Sequence, residues 1–239
     1  MNIVKMPITL NCASVMGIFT IIGNLLKLNN MNNRDYKKFA TGAYYHIYNR
    51  GNGKENIFLD DNDFSFFILR LKQNLFPDKD QRMFRSTPLP EDAFSLVNYC
   101  LMPNHYHFLI KQNKEIPVSK LISRICTSYS KYFNKKYDRV GHVFQDQFKQ
   151  VNVDNNDYLL WLSAYIHQNP SVAGLIKNSI DYKWSSFRLM GDEDKGSLIR
   201  DYEIILEQFE NLNDYYKFVN SSFNLIKEKK EIENLFLDL

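Results

Sequence analysis

Residues 43–50 (AYYHIYNR) crowd aromatic and β-branched side chains into one short run, which reads as a strand closed by Gly51-Asn52-Gly53. The apolar positions then change period. Over 60–74, Phe64, Phe67, Ile68 and Leu71 recur at helical spacing behind Asp61 and Asp63, and Pro77 ends the segment. A charged connection over 78–91 follows. Residues 94–102 (FSLVNYCLM) and 105–111 (HYHFLIK) return to strand composition, and the Pro103-Asn104 turn between them predicts an antiparallel hairpin. Residues 118–136 form an amphipathic helix with Leu121, Ile122, Ile125, Tyr129, Tyr132 and Phe133 near one face. After Gly141, residues 143–153 read as extended. Residues 154–157 then offer N-caps for a helix over 158–169 that Pro170 stops. Beyond Trp184 the pattern is mainly helical and polar, and the charged run 227–233 reads as a solvated helix face.

The order β–α–β–β–α–β–α predicts an α+β fold: a ferredoxin-like sandwich, an antiparallel sheet with helices on one face, plus a C-terminal helical extension. The chain divides into an N-terminal extension (1–42), a catalytic domain (43–187) and an acidic helical segment (188–239). The apolar stretch within residues 8–26 is broken by Asn11, Gly17, Gly23 and Asn24, and its unbroken part is too short for a ~30 Å bilayer. No membrane association is expected. Met31 opens a polar stretch before the first strand and is the expected start, with residues 1–30 an extension ahead of it.

Charge sharpens this division. The net +3 of the 239 residues resolves into +7 over residues 31–190 and −6 over residues 191–239. A basic body suits a polyanionic partner, and the asymmetry suggests an acidic tail that covers a basic groove when that partner is absent. Cys12, Cys100 and Cys126 stand far apart with no C-x-x-C pair, so neither a disulfide framework nor a thiolate zinc site is indicated. A reducing, cytoplasmic setting is expected.

Three constellations could carry chemistry. In His105-Tyr106-His107, strand periodicity puts both imidazoles on one face, able to converge on one ion. Tyr165 and Asn169 stand four apart on the last helix, hence on one face. Lys131, Lys135, Lys136, Arg139, His142 and Lys149 interleave with Tyr132, Phe133, Tyr137, Phe144 and Phe148, giving cations for phosphates and rings for unstacked bases. Each has a bland counterpart: satisfied strand-end histidines, a core tyrosine before a helix stop, a solvated basic helix. No H-E-x-x-H occurs, which disfavours a zinc peptidase.

Taken together, the strings YHIYNRGNGKENIF, NYCLMPNHYHFLI, YFNKKYDRVGHVFQDQFK and DYLLWLSAYIHQNPSVAGLI resemble the single-tyrosine HUH transposases, especially their repeat-associated branch. The resemblance implies a ferredoxin-like domain that cuts single-stranded DNA near hairpins through a 5′-phosphotyrosine intermediate. It implies Tyr165 as nucleophile, with His105, His107 and Asn169 as ligands of a divalent metal, Mg²⁺ or Mn²⁺. The basic residues named above become DNA contacts, and the working unit a monomer or homodimer. Two rival readings remain: a domesticated hairpin-DNA-binding protein without cleavage, and a metal-dependent phosphodiesterase.

Overall fold

Strand β1 (Tyr44–Arg50) is the sheet's organiser, because it pairs antiparallel with a neighbour on each side. The structure, a computed structural model, describes residues 40–77, 87–191 and 198–237. Expectations about Met31 and about most of the 78–91 connection lie outside those residues. The sheet order is β2 (Phe94–Met102), β3 (His105–Gln112), β1 and β4 (Lys149–Val153), with every pairing antiparallel. The β2–β3 hairpin turns at Pro103-Asn104, as the sequence indicated. Gly51 ends β1 where the chain passes close to itself: a Cβ there would lie 2.1 Å from the Glu55 carbonyl oxygen, so only glycine fits.

Helix α1 (Asp61–Leu75) starts at a capping box in which the Asp60 side chain accepts from the Asn62 and Asp63 backbone N–H groups and Asp63 answers toward Asp60. Helix α2 (Val118–Lys136) buries Val118, Leu121, Ile122, Ile125, Tyr129 and Phe133. Both helices pack on the sheet face carrying Tyr106 and Phe108, with the Phe67 ring 5.4 Å from Tyr106 and 6.2 Å from Phe108. So far this is the expected sandwich.

The opposite face is covered too, by helix α3 (Asn156–Val172), on which the C-terminal helices α4 (Glu203–Leu206), α5 (Leu212–Ser221) and α6 (Phe223–Leu237) pack in turn. Helices therefore lie on both faces rather than one. This explains why α3 lacks a polar face: thirteen of its residues are buried, from Tyr158 to Ser171. The segment after residue 187 contributes Ile199, Ile205, Tyr215, Val219 and Ile226 to the same core. Together with residues just before it, it caps the free edge of β2, where Arg200 N donates to Leu96 O and Leu101 N to Trp184 O.

Three local expectations change. Residues 143–153 are not one strand: Phe144 makes a lone bridge to Gly51, the chain turns away, and pairing resumes only at Lys149. Asn49 Nδ2 holds that turn by donating to Asp146 O at 3.0 Å. Pro170 does not stop α3, which runs on to Val172. Proline this late forfeits one helical hydrogen bond, and the turn closes when Ala173 N donates to Asn169 O and Leu175 N to Pro170 O, with Gly174 at φ +72°. The third change concerns the charged run in α6 and bears on the site.

Candidate active site

The site forms where β3, β1 and α3 meet. His105 and His107 share a face of β3, and the register sets His107 beside Tyr48 and His105 beside Arg50 on β1. Residues paired across strands share a face, so His46, Tyr48 and Arg50 join the two histidines. The His105 and His107 rings are 5.0 Å apart at 88°. Helix α3 lays Tyr165 against them, its ring 5.4 Å from His107 and nearly perpendicular. Asn169, one turn on, reaches His105 and donates from Nδ2 to Tyr165 O at 3.0 Å. All four residues singled out in the sequence thus come together within one chain. His167, two positions past Tyr165, points away, fully buried against Ser186 and Tyr215.

Neighbouring side chains orient the ligand candidates. His105 Nδ1 lies 2.6 Å from Asn104 Oδ1, which can only accept, so Nδ1 carries the proton and Nε2 keeps its lone pair. His46 Nε2 sits 3.0 Å from His107 Nδ1. A proton on that Nδ1 leaves the Nε2 of His107 likewise available. Burial, followed by the charge of Lys229, pulls His46 down to about 3. Burial, then Lys230 and Arg50, pulls His105 down to about 3, against an upward pull from Asn169. His107 lies well below the ordinary value through burial, then His105, His46 and Lys230. At neutral pH all three imidazoles are uncharged and able to donate a lone pair.

Two lysines of α6 complete the surroundings, against the expectation that residues 227–233 only meet solvent. Lys230 Nζ donates to Asn169 Oδ1 at 2.5 Å and lies 5.5 Å from the Tyr165 ring centroid. Lys229 Nζ stands 4.1 Å over the Trp161 ring, which stacks on Tyr165 at 5.1 Å. The part of the acidic tail that reaches the site is therefore basic.

The basic-stretch candidates are more scattered. Lys149 pairs with Tyr48, so the row His107, Tyr48, Lys149 crosses one sheet face to an exposed lysine at its edge. Lys131 and Lys135 are exposed on α2, and His142 is exposed in the turn after Gly141. Lys136 is engaged internally, 2.7 Å from Asp60 and 2.8 Å from the fully buried Asp63. Arg139 pairs with Glu55 at 2.8 Å. Sequence reasoning assigns His46 only a core or sheet-face role and passes over Arg50, Trp161, Lys229 and Lys230. The first two were findable, since they alternate on β1 as the histidines do on β3; nothing local marks the lysines.

Residues 78–169 match the family described as Transposase IS200 like. The match runs through His105, His107 and Tyr165 and ends on Asn169, while the first of the four strings, in β1, lies outside it. A REP-associated tyrosine transposase solved bound to a REP hairpin is 14% identical, covering 71% of this chain and 90% of that one with a TM-score of 0.50. At that identity the likeness establishes the shared fold. No curated protein matches the chain. Among the described residues no helix is long and apolar enough to cross a membrane.

Proposed function

We propose that this protein is a single-stranded DNA endonuclease and strand transferase that cuts beside hairpins, with Tyr165 as nucleophile. The convergence of Tyr165, His105, His107 and Asn169 supports this reading most strongly, since their separation in sequence leaves no local reason for them to meet. Hairpin DNA as partner follows the fold neighbour, which was solved with one. In the reaction the Tyr165 oxygen bonds to phosphorus as the P–O3′ bond breaks; the phenolic proton leaves and the departing strand ends in a 3′-OH. The phosphotyrosine ester conserves the bond energy, so a second 3′-OH can reverse the step without ATP.

The residues fit a divalent cation. Two uncharged imidazoles offer nitrogen, and the Asn169 oxygen already draws a cation, the Lys230 ammonium. His105, His107 and Asn169 would hold Mg²⁺ or Mn²⁺, with imidazole favouring Mn²⁺. Bound there, the ion would polarise the phosphoryl oxygens. The chain's own parts do the rest. Asn104 and His46 fix the imidazole rings, and the Trp161 stack and the His107 edge hold the Tyr165 ring. The working unit is a monomer or a homodimer.

The test is a pool of labelled single-stranded hairpins incubated with Mn²⁺ and resolved on a denaturing gel. A denaturation-resistant adduct is expected with wild type and absent with Tyr165→Phe and His105→Ala. Cleavage without adduct would favour the phosphodiesterase reading, and binding with neither would favour a hairpin-binding protein.

A further inference from the structure

Alternation along β1 and β4 puts two cations at the mouth of the site. Arg50 pairs with His105 on β3, and Lys149 pairs with Tyr48, so both rise from the sheet face that carries His46, His105 and His107. Directly opposed residues stand about 4.5–5.5 Å apart between Cβ atoms, and a diagonal such as Arg50 to Lys149 spans about 7–8 Å. Both side chains are exposed, whereas His46 and His107 beneath α3 are buried. The face therefore opens to solvent at these two residues. Tyr48, half-buried between them, stacks on His46 at 4.8 Å and on His107 at 5.8 Å. Neither cation forms an ion pair among the described residues, and Asp146 in the preceding turn accepts from the Gln147 N–H. A lysine on an edge strand can serve simply to block pairing with another sheet. That leaves Arg50 unexplained. Its charge acts on His105, and a cation beside a candidate metal ligand opposes the metal. The opposition disappears when an anion lies between the two.

We propose that Arg50 and Lys149 clamp two successive phosphates of the single-stranded arm, Arg50 on the scissile phosphodiester and Lys149 on its neighbour toward the β4 edge. This rests on the strand-transferase reading and adds to it the path of the arm, from His105 across β1 to β4. The two cations have different parts. A guanidinium offers parallel N–H donors to one phosphate, so Arg50 orients the group that Tyr165 attacks. An ammonium holds a phosphate as a point charge and sets no orientation, so Lys149 only anchors the strand. Both contacts are to backbone, which positions the arm without reading its sequence. The choice of hairpin is left to other surfaces.

Affinity is measured against salt with Tyr165→Phe protein, which cannot form the ester. The ligands are a hairpin with single-stranded arms on both sides and the same hairpin without arms. Arg50→Gln and Lys149→Met are each expected to lower the log–log salt slope on the armed hairpin by about 0.7, as for one lost phosphate contact on a single strand. Neither should change binding of the armless hairpin. Equal losses on both hairpins would place the cations on the stem and overturn the clamp. An unchanged slope on the armed hairpin, with or without a lower melting temperature, would overturn it too. Like-for-like exchanges separate the two parts. Arg50→Lys should keep the slope, yet with Tyr165 present it should slow adduct formation on the order of 100-fold, as for one lost transition-state donor. Lys149→Arg should keep both. Full adduct formation by Arg50→Lys would remove Arg50 from the scissile phosphate. If the wild-type chain forms no adduct while the slopes still fall on the armed hairpin alone, the two phosphate contacts stand and the covalent chemistry fails. If the Tyr165→Phe protein binds no armed hairpin at all, both fail.

Discussion

Replacing Tyr215 by Phe removes one oxygen from a fully buried chain of polar groups. Tyr215 OH lies 2.7 Å from His167 Nδ1 and 2.6 Å from Ser163 Oγ, and all three residues are 0% exposed. Asn98 Nδ2 donates to Ser163 Oγ at 2.7 Å, and His167 Nε2 lies 3.0 Å from Ser186 Oγ, which donates to Tyr99 O at 3.2 Å. One assignment satisfies the longest run of these contacts: Ser163 donates to Tyr215, Tyr215 to His167 Nδ1, and His167 Nε2–H to Ser186. Without the hydroxyl, the Ser163 proton and the His167 lone pair lose their partners where no water reaches them. Each orphaned group costs about 1–3 kcal/mol. Some of this is recovered by rotation of the serine, so we expect a loss of about 2–4 kcal/mol. For a chain of this size that corresponds to a fall in melting temperature of roughly 5–15 °C. Urea denaturation should show a lower midpoint with an unchanged m-value. Ser163→Ala in the same background should be non-additive, because it removes one of the two orphans in advance. A change below about 0.5 kcal/mol would refute this network.

Other outcomes follow from the same geometry. His46→Phe, which loses the hydrogen bond to His107 Nδ1, should weaken Mn²⁺ binding by about 10–100-fold in titration calorimetry; unchanged affinity would remove His46 from the site. Chelation by EDTA should abolish the adduct and added Mn²⁺ should restore it; an adduct that survives chelation would count against the metal. Lys136→Met leaves the buried Asp63 carboxylate without its ion pair and should cost ~2–4 kcal/mol, partly recovered in Lys136→Met/Asp63→Asn. A variant of full stability would show the pair to be dispensable. Burial pulls His167 from the ordinary 6.5 down to about 3, so below pH 6.5 the unfolded chain takes up a proton that the folded chain refuses. Its contribution is complete above pH 6.5 and is lost as pH falls toward 3, by up to ~1.4 kcal/mol per pH unit. Thermal melts between pH 4 and 8 should show that slope, reduced in His167→Gln; equal slopes would mean that His167 is not buried uncharged.

The sequence alone determined what depends on neighbours a few residues apart. Strand and helix periodicities marked the first three strands and the first two helices, the Pro103-Asn104 turn marked the hairpin, and H-x-H spacing put His105 and His107 on one face because a strand alternates. Helical spacing did the same for Tyr165 and Asn169. The tertiary structure decided whatever rests on contact between distant segments. Pro170 reads as a stop, yet packing from Asn156 to Val172 keeps the helix intact around it, since burial outweighs one missing hydrogen bond. Lys136 reads as a DNA contact, yet it lies against Asp60 and Asp63, more than seventy residues earlier. The run at 227–233 reads as solvated, yet the fold carries Lys229 and Lys230 onto α3. A charged residue's local pattern does not reveal which opposite charge, ring or amide it will meet. Periodicity records which way a side chain faces, and only the packed chain supplies what it faces.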